Sequence, residues 1–124
     1  MSRILVADDD PEQLHPRRAL LETVGHRVDV ALSPPETVRE IERGQFDLVI
    51  MDLRFPNEAG VPDSQQGLAL IRQIRKLGCR IPVIVLSGWP DDLYGQPEEA
   101  MVSRVMVKPV RIATLLEAIG DLVR

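Results

Sequence analysis

Residues 4–10 read Ile-Leu-Val-Ala-Asp-Asp-Asp: four apolar side chains in a row, then three acids without transition. An unbroken apolar run of this length marks a strand buried on both faces of a sheet, since a strand with one wet face would alternate. Three more compact runs repeat the pattern, Leu48 to Met51, Val83 to Leu86 and Val105 to Val107. They are rich in the β-branched residues that strands favour. A fifth run, Val28 to Ala31, is interrupted by Asp29 and reads as a half-exposed edge strand.

Between these runs the apolar spacing becomes helical. After Asp10, Leu14, Leu21 and Val24 share one face, and Gly25 supplies a left-handed residue to end the helix. Pro16 falls about one turn inside, which predicts a kink or a delayed start. Ser33 and Glu36 have capping-box spacing, Pro34 suits the first helical position, and Val38 and Ile41 point inward before Gly44. Asp63 and Gln66 are spaced to cap a third helix, with Leu68, Ile71 and Ile74 inward and Gly78 closing it. The last helix turns Leu115, Ile119 and Leu122 inward. Between Leu86 and Val105, Pro90, Gly95 and Pro97 leave room only for a short helix from about Pro97 to Ser103, a degenerate fourth helix. Strands alternating with helices imply right-handed crossovers and a doubly wound α/β domain built on a parallel sheet, a single domain over residues 1–124.

Composition narrows the function. With 44% hydrophobic and 27% charged residues the chain is an ordinary globular protein, and 3% aromatic content makes its core aliphatic. A formal net charge of −4 argues against nucleic-acid binding, which needs clustered cations. Arg72, Arg75 and Lys76 read as one solvated helix face, and His15 and His26 as surface residues. The single cysteine, Cys79, permits neither an intrachain disulfide nor a multi-thiolate zinc site and fits a reducing cytoplasm. The first apolar run is too short for a signal-peptide core or a membrane span, so a soluble, unprocessed protein away from membranes is expected.

Each buried strand stops at chemistry: Ala7 at Asp8 and Asp9, Met51 at Asp52, Leu86 at Ser87, Val107 at Lys108. Open parallel sheets bind ligands beyond the carboxyl ends of their strands, so these five side chains should converge on one rim. Three carboxylates there repel one another unless a cation intervenes. A hard, oxygen-preferring dication, Mg²⁺ or Mn²⁺, answers that need and leaves coordination positions for phosphoryl oxygens. Aspartyl phosphates are an established outcome of carboxylate nucleophiles, which makes Asp52 the candidate phosphoacceptor, with Ser87 and Lys108 beside it. The competing assignments are local: Asp8 and Asp9 as a helix-capping cluster, Asp52 and Ser87 as turn residues. Asp10 is assigned to capping. Pro109 after Lys108 admits a cis bond that aims the lysine, although trans is the commoner outcome.

The four blocks Ile-Leu-Val-Ala-Asp-Asp-Asp (4–10), Val-Ile-Met-Asp-Leu (49–53), Val-Leu-Ser-Gly (85–88) and Val-Lys-Pro (107–109) resemble the signature of response regulator receiver domains of two-component systems. The resemblance covers essentially the whole chain and implies a flavodoxin-like five-stranded sheet in order 2-1-3-4-5. It implies a sensor histidine kinase or histidine phosphotransfer protein as phosphodonor to Asp52. Asp9 would bind Mg²⁺ directly and Asp8 through water, with Asp52 and the backbone carbonyl of Arg54 completing the protein's ligands. Ser87 and Lys108 would engage the phosphoryl group and shift the face built from the fourth helix, fifth strand and last helix. Such a chain is a signalling phosphoacceptor rather than an enzyme, catalysing only its own phosphorylation and slow autodephosphorylation. Its downstream protein target is not legible, and the resemblance admits a phosphorylation-dependent homodimer.

Three features depart from that pattern. The position of the usual aromatic switch is Val105, so a ring flip cannot report activation. The connection from Asn57 to Ser64 is long and suggests a partner-specific flap. The fourth-helix region is poor in helix formers, which points to a remodelled or mobile output face. Arg54 and Trp89 stand two residues beyond Asp52 and Ser87, where side chains of such domains flank the path of hydrolytic water. They either face solvent or stack as a cation–π pair that shields the acyl phosphate and slows its loss. A phosphorylation-independent pseudo-receiver is the alternative function. A haloacid-dehalogenase-type phosphatase would need an acid at position 54, and neither a dinucleotide-binding turn nor a Walker loop is present. Whether the 124 residues act alone or belong to a longer protein stays open.

Overall fold

The computed structural model describes residues 2–77 and 80–123; Gly78, expected to close the third helix, and Cys79 lie outside them. The elements run β1 (Arg3–Ala7), α1 (Pro11–Thr23), β2 (Arg27–Ala31), α2 (Pro34–Arg43), β3 (Leu48–Asp52), β4 (Phe55–Pro56), β5 (Pro62–Asp63), α3 (Ser64–Lys76), β6 (Val83–Ser87), β7 (Arg104–Val107) and α4 (Ile112–Leu122). The main sheet has the order β2-β1-β3-β6-β7, with every neighbouring pair parallel. Setting aside the two-residue strands β4 and β5, this is the expected 2-1-3-4-5. β2 lies at an edge, as Asp29 suggested.

Alternation along the strands divides the core. Leu5, Ala7, Val49, Met51, Val83 and Val85 pack with Val38, Leu68, Ile71 and Ile74 of α2 and α3. Ile4, Val6, Leu48, Ile50, Ile84 and Leu86 pack with Leu14, Leu21, Leu115 and Ile119 of α1 and α4. Burying both faces explains why β1, β3 and β6 read as unbroken apolar runs. Among the described residues no helix is long and apolar enough to cross a membrane.

The helix boundaries follow the capping chemistry. Asp10, Ser33 and Asp63 cap α1, α2 and α3 by accepting the amides of Glu12, Glu36 and Gln65. Gly25, at φ +99°, ends the turn after α1. Pro16 does not delay the start of α1, which begins at Pro11 and runs through it. Val24 is exposed, so Leu14 and Leu21 alone anchor that face.

In place of a fourth α-helix stand two 3-10 turns, Pro90–Asp92 and Pro97–Met101. α3 holds them. Arg72 pairs with buried Glu98 at 3.0 Å, and Arg75 donates to the carbonyls of Met101 and Ile81. The expected solvated face holds for Arg72, exposed even while it pairs with Glu98, and for Lys76; Arg75 departs from it, half-buried with its guanidinium on two backbone carbonyls. The long connection after β3 is an ordered hairpin of β4 and β5, its turn closed by Asn57 Oδ1 accepting the amides of Ala59 and Val61.

α3 approaches the loop after β3 so closely that a Cβ on Gly67 would lie 2.0 Å from the Leu53 carbonyl oxygen. Gly67→Ala must displace backbone next to Asp52. Overpacking of this kind typically costs about 1–3 kcal/mol, and a urea unfolding midpoint equal to wild type would contradict the close approach.

Candidate functional site

Parallel register decides where the functional side chains arrive. Ala7 pairs with Met51, Met51 with Val85 and Val85 with Val105, so one row crosses the sheet. Asp8, Asp52, Ser87 and Lys108 follow that row within one to three residues, all at the carboxyl rim. Asp9 joins them from the β1–α1 loop. Asp8, Asp9 and Asp52 each offer an oxygen, and these atoms all lie within 4.8 Å of one another.

Asp8 is buried beneath the rim and Asp9 is exposed. One oxygen of Asp8, Oδ1, accepts the Asp10 amide at 3.0 Å. Its Oδ2 faces Lys108 Nζ at 3.5 Å and Arg17 Nη1 at 3.6 Å. Asp52 is divided in the same way: Oδ1 accepts the amides of Leu53 at 2.7 Å and Arg54 at 3.4 Å, and Oδ2 meets Lys108 Nζ at 3.1 Å. Lys108 also donates to Gln13 Oε1 at 3.0 Å. The Lys108–Pro109 peptide is cis. Ser87 is fully buried, and its Oγ accepts the Trp89 amide at 2.9 Å.

The acids crowd one another. Partial desolvation raises the pKa of Asp9, its own backbone amide pulls it down, and the charges of Asp8, Asp52 and Asp10 raise it further. A raised carboxyl pKa means that the ionised form is disfavoured where it stands. Lys108 and Arg17 offset part of the charge on Asp8 and Asp52. The all-oxygen donor set fits a hard dication such as Mg²⁺.

A second constellation lies beside the first. The Arg54 guanidinium sits over the Trp89 ring, 3.8 Å from its centroid, so the two side chains stack, while the ring keeps its other surface in solvent at 53% exposure. In its own plane the same guanidinium donates to Asp92 Oδ2 from Nε at 3.1 Å and Nη2 at 2.8 Å. Ser64, the first residue of α3, hydrogen-bonds both Arg54 Nε and Asp92. The Ser64 hydroxyl, and then Arg54, hold the Asp92 carboxyl below its ordinary pKa.

Asp8, Asp9, Asp52 and Lys108 thus come together, and the sheet register sets Ser87 at the same rim. Sequence reasoning missed Gln13, Arg17, Ser64 and Asp92. Gln13 and Arg17 carry a recoverable signal, since residues four apart on a helix share a face. Asp92 carries none, because it falls in the aperiodic stretch after Leu86.

Comparison with known proteins places this geometry in context. The family described as response regulator receiver domain matches residues 4–120. The transcriptional regulatory protein GlrR of Escherichia coli is 33% identical over 122 residues, 97% of this chain and 26% of its own length. The chain therefore spans about a quarter of that relative. Response regulator TrrA of Thermotoga maritima, solved with Mg²⁺-BeF, has a TM-score of 0.85 at 26% identity, covering 99% of this chain and 100% of TrrA. A complex of TrrA with histidine kinase ThkA gives 0.84 at 26% identity, with full coverage of both chains.

The raised pKa of Asp9 has a defined sign. Its contribution to stability is present below the ordinary carboxyl value of 3.8 and is lost as pH rises through the higher folded value. Asp9→Asn should therefore raise the melting temperature slightly at pH 7 in EDTA, while the rise that Mg²⁺ gives wild type should shrink or vanish. Thermal melts with and without Mg²⁺ check both signs.

Proposed function

Because this chain belongs to the response regulator receiver family, we propose that it accepts a phosphoryl group on Asp52 from a histidine kinase or a histidine phosphotransfer protein. The observation that carries this is the pairing of Asp52 Oδ2 with Lys108 Nζ at 3.1 Å, next to two further carboxylates. That oxygen bears no backbone hydrogen bond, so it is the one free to attack phosphorus. As the O–P bond forms, the bond from phosphorus to the donor imidazole breaks. The leaving nitrogen keeps the electron pair.

Each neighbour has work suited to its chemistry. The amides of Leu53 and Arg54 fix Oδ1 and so orient the carboxylate. Lys108 is a mobile cation able to follow charge from the carboxylate to the phosphoryl oxygens. Ser87 offers a hydroxyl to the same group. A divalent ion, Mg²⁺ or Mn²⁺, held by Asp8, Asp9, Asp52 and the Arg54 carbonyl, would neutralise charge and orient phosphoryl oxygens. Phosphoryl transfer asks chiefly for such positioning and neutralisation. The chain then serves as a signalling phosphoacceptor, not a turnover enzyme, in the cytoplasm where such donors act. Phosphorylation would change the surface this domain offers to a downstream protein, a phosphorylation-dependent second copy being one such partner.

Support for the donor comes from the likeness to TrrA, which has been solved bound to a histidine kinase. Incubation with Mg²⁺ and acetyl phosphate, followed by intact-mass measurement, should add one phosphoryl group to wild type and none to Asp52→Asn. A wild type that gains no mass would favour a phosphorylation-independent interaction module instead. The stacked Arg54 and Trp89 should slow hydrolysis of the product, so the Arg54→Ala, Trp89→Ala double variant should lose phosphate several-fold faster. An unchanged half-life would remove the shield from the account.

A further inference from the structure

A planar guanidinium interacts in two independent directions, through its face with an aromatic ring and through its edge with anions. Arg54 uses both: its face covers Trp89 and its Nε and Nη2 edge grips Asp92. Asp92 belongs to the turn Pro90–Asp92, and its side-chain partners are Arg54 and Ser64. The other end of Arg54 is tied to the acceptor, its amide 3.4 Å from Asp52 Oδ1. One residue therefore links the candidate phosphorylation site to the segment standing where a fourth helix was expected.

We propose that Arg54 is an exchangeable latch: phosphorylation of Asp52 draws its edge from Asp92 to the phosphoryl group, which frees the turn 90–92. This rests on Asp52 being the phosphoacceptor. Charge sets the direction. The Asp92 carboxylate carries one negative charge, whereas the phosphoryl group on Asp52 carries about 1.5 to 2 at neutral pH, in place of the carboxylate charge that its bond consumes, on three strong acceptor oxygens. Arg54 and Asp92 are both partly exposed, at 27% and 34%, so solvent and a competing anion can reach the pair. The Trp89 ring can stay against the guanidinium face throughout, so the exchange leaves the shield over the site.

The latch also predicts where loosening stops. Residues 97–101 are fixed separately, by Arg72 on buried Glu98 and by Arg75 on the Met101 carbonyl. Residues 90–96 keep the buried Leu93 and the hydrogen bond that the Gly95 amide donates to Glu99 Oε1, but lose the ionic tie through Asp92. A charge exchange of this kind gives the domain an output route that needs no aromatic ring at Val105.

Amide hydrogen exchange read by mass spectrometry tests this on the full chain, with and without acetyl phosphate and Mg²⁺, alongside intact mass. Phosphorylation of wild type should speed exchange several-fold in 90–96 while leaving 97–101 unchanged. In Asp92→Asn and in Arg54→Ala, exchange in 90–96 should already be fast and gain nothing further on phosphorylation. Failure to gain the phosphoryl mass would strike the proposed function itself. Mass gain without a change in 90–96, or with the same change in Arg54→Ala, would overturn the latch alone.

Discussion

Three carboxylates brought within one coordination sphere are the constraint around which the rest of the rim is arranged. The parallel register leaves no choice, because β1 and β3 end at the same level and deliver Asp8 and Asp52 side by side. The protein answers with cations. Lys108 reaches both acids from the end of β7, and Arg17 reaches Asp8 from α1. Two monovalent groups do not balance the cluster, and Asp9, its pKa raised first by partial desolvation, is raised further by the charges of Asp8, Asp52 and Asp10. The same imbalance makes a divalent ion a fitting companion for the three acids.

Around this cluster the fold is built for close approach. Gly67 lets α3 press against the Leu53 carbonyl, which fixes the backbone just after Asp52. Ser64 at the start of the same helix reaches Asp92, and Arg72 and Arg75 further along it hold the second 3-10 turn. One helix thus sets the acceptor loop and the segment after β6 relative to each other. A segment with so few helix formers needs those external contacts, since its own propensity would not keep it in place.

Much of this was legible in the residues. The apolar runs at 4–7, 48–51 and 83–86 marked central strands because both faces of the sheet are covered, and their polar ends marked the rim. Asp10, Ser33 and Asp63 announced their helices because a capping side chain acts locally. What could not be read depended on contacts distant in sequence. Pro16 suggested a late start, yet α1 begins at Pro11 because the Asp10 cap and the packing of Leu14 and Leu21 outweigh one lost amide. Arg75 looked like a solvent-facing charge, yet the carbonyls of Ile81 and Met101 hold it half-buried. Asp92 joined the Arg54 cluster from the aperiodic stretch after Leu86, where no spacing could announce it.

Trp89 is the sole tryptophan; its ring stacks on Arg54, the second residue after Asp52, and its amide bonds the rim residue Ser87, so its emission is the natural reporter of charge entering the rim. A titration of the metal-free protein with Mg²⁺, followed by beryllofluoride, interrogates the electrostatic premise directly. Saturable change with Mg²⁺ at one site, and a second change with beryllofluoride only when Mg²⁺ is present, is the predicted result. Emission that ignores Mg²⁺, or responds to beryllofluoride equally well without it, would mean that the three acids do not share a cation and that the account is wrong at its base.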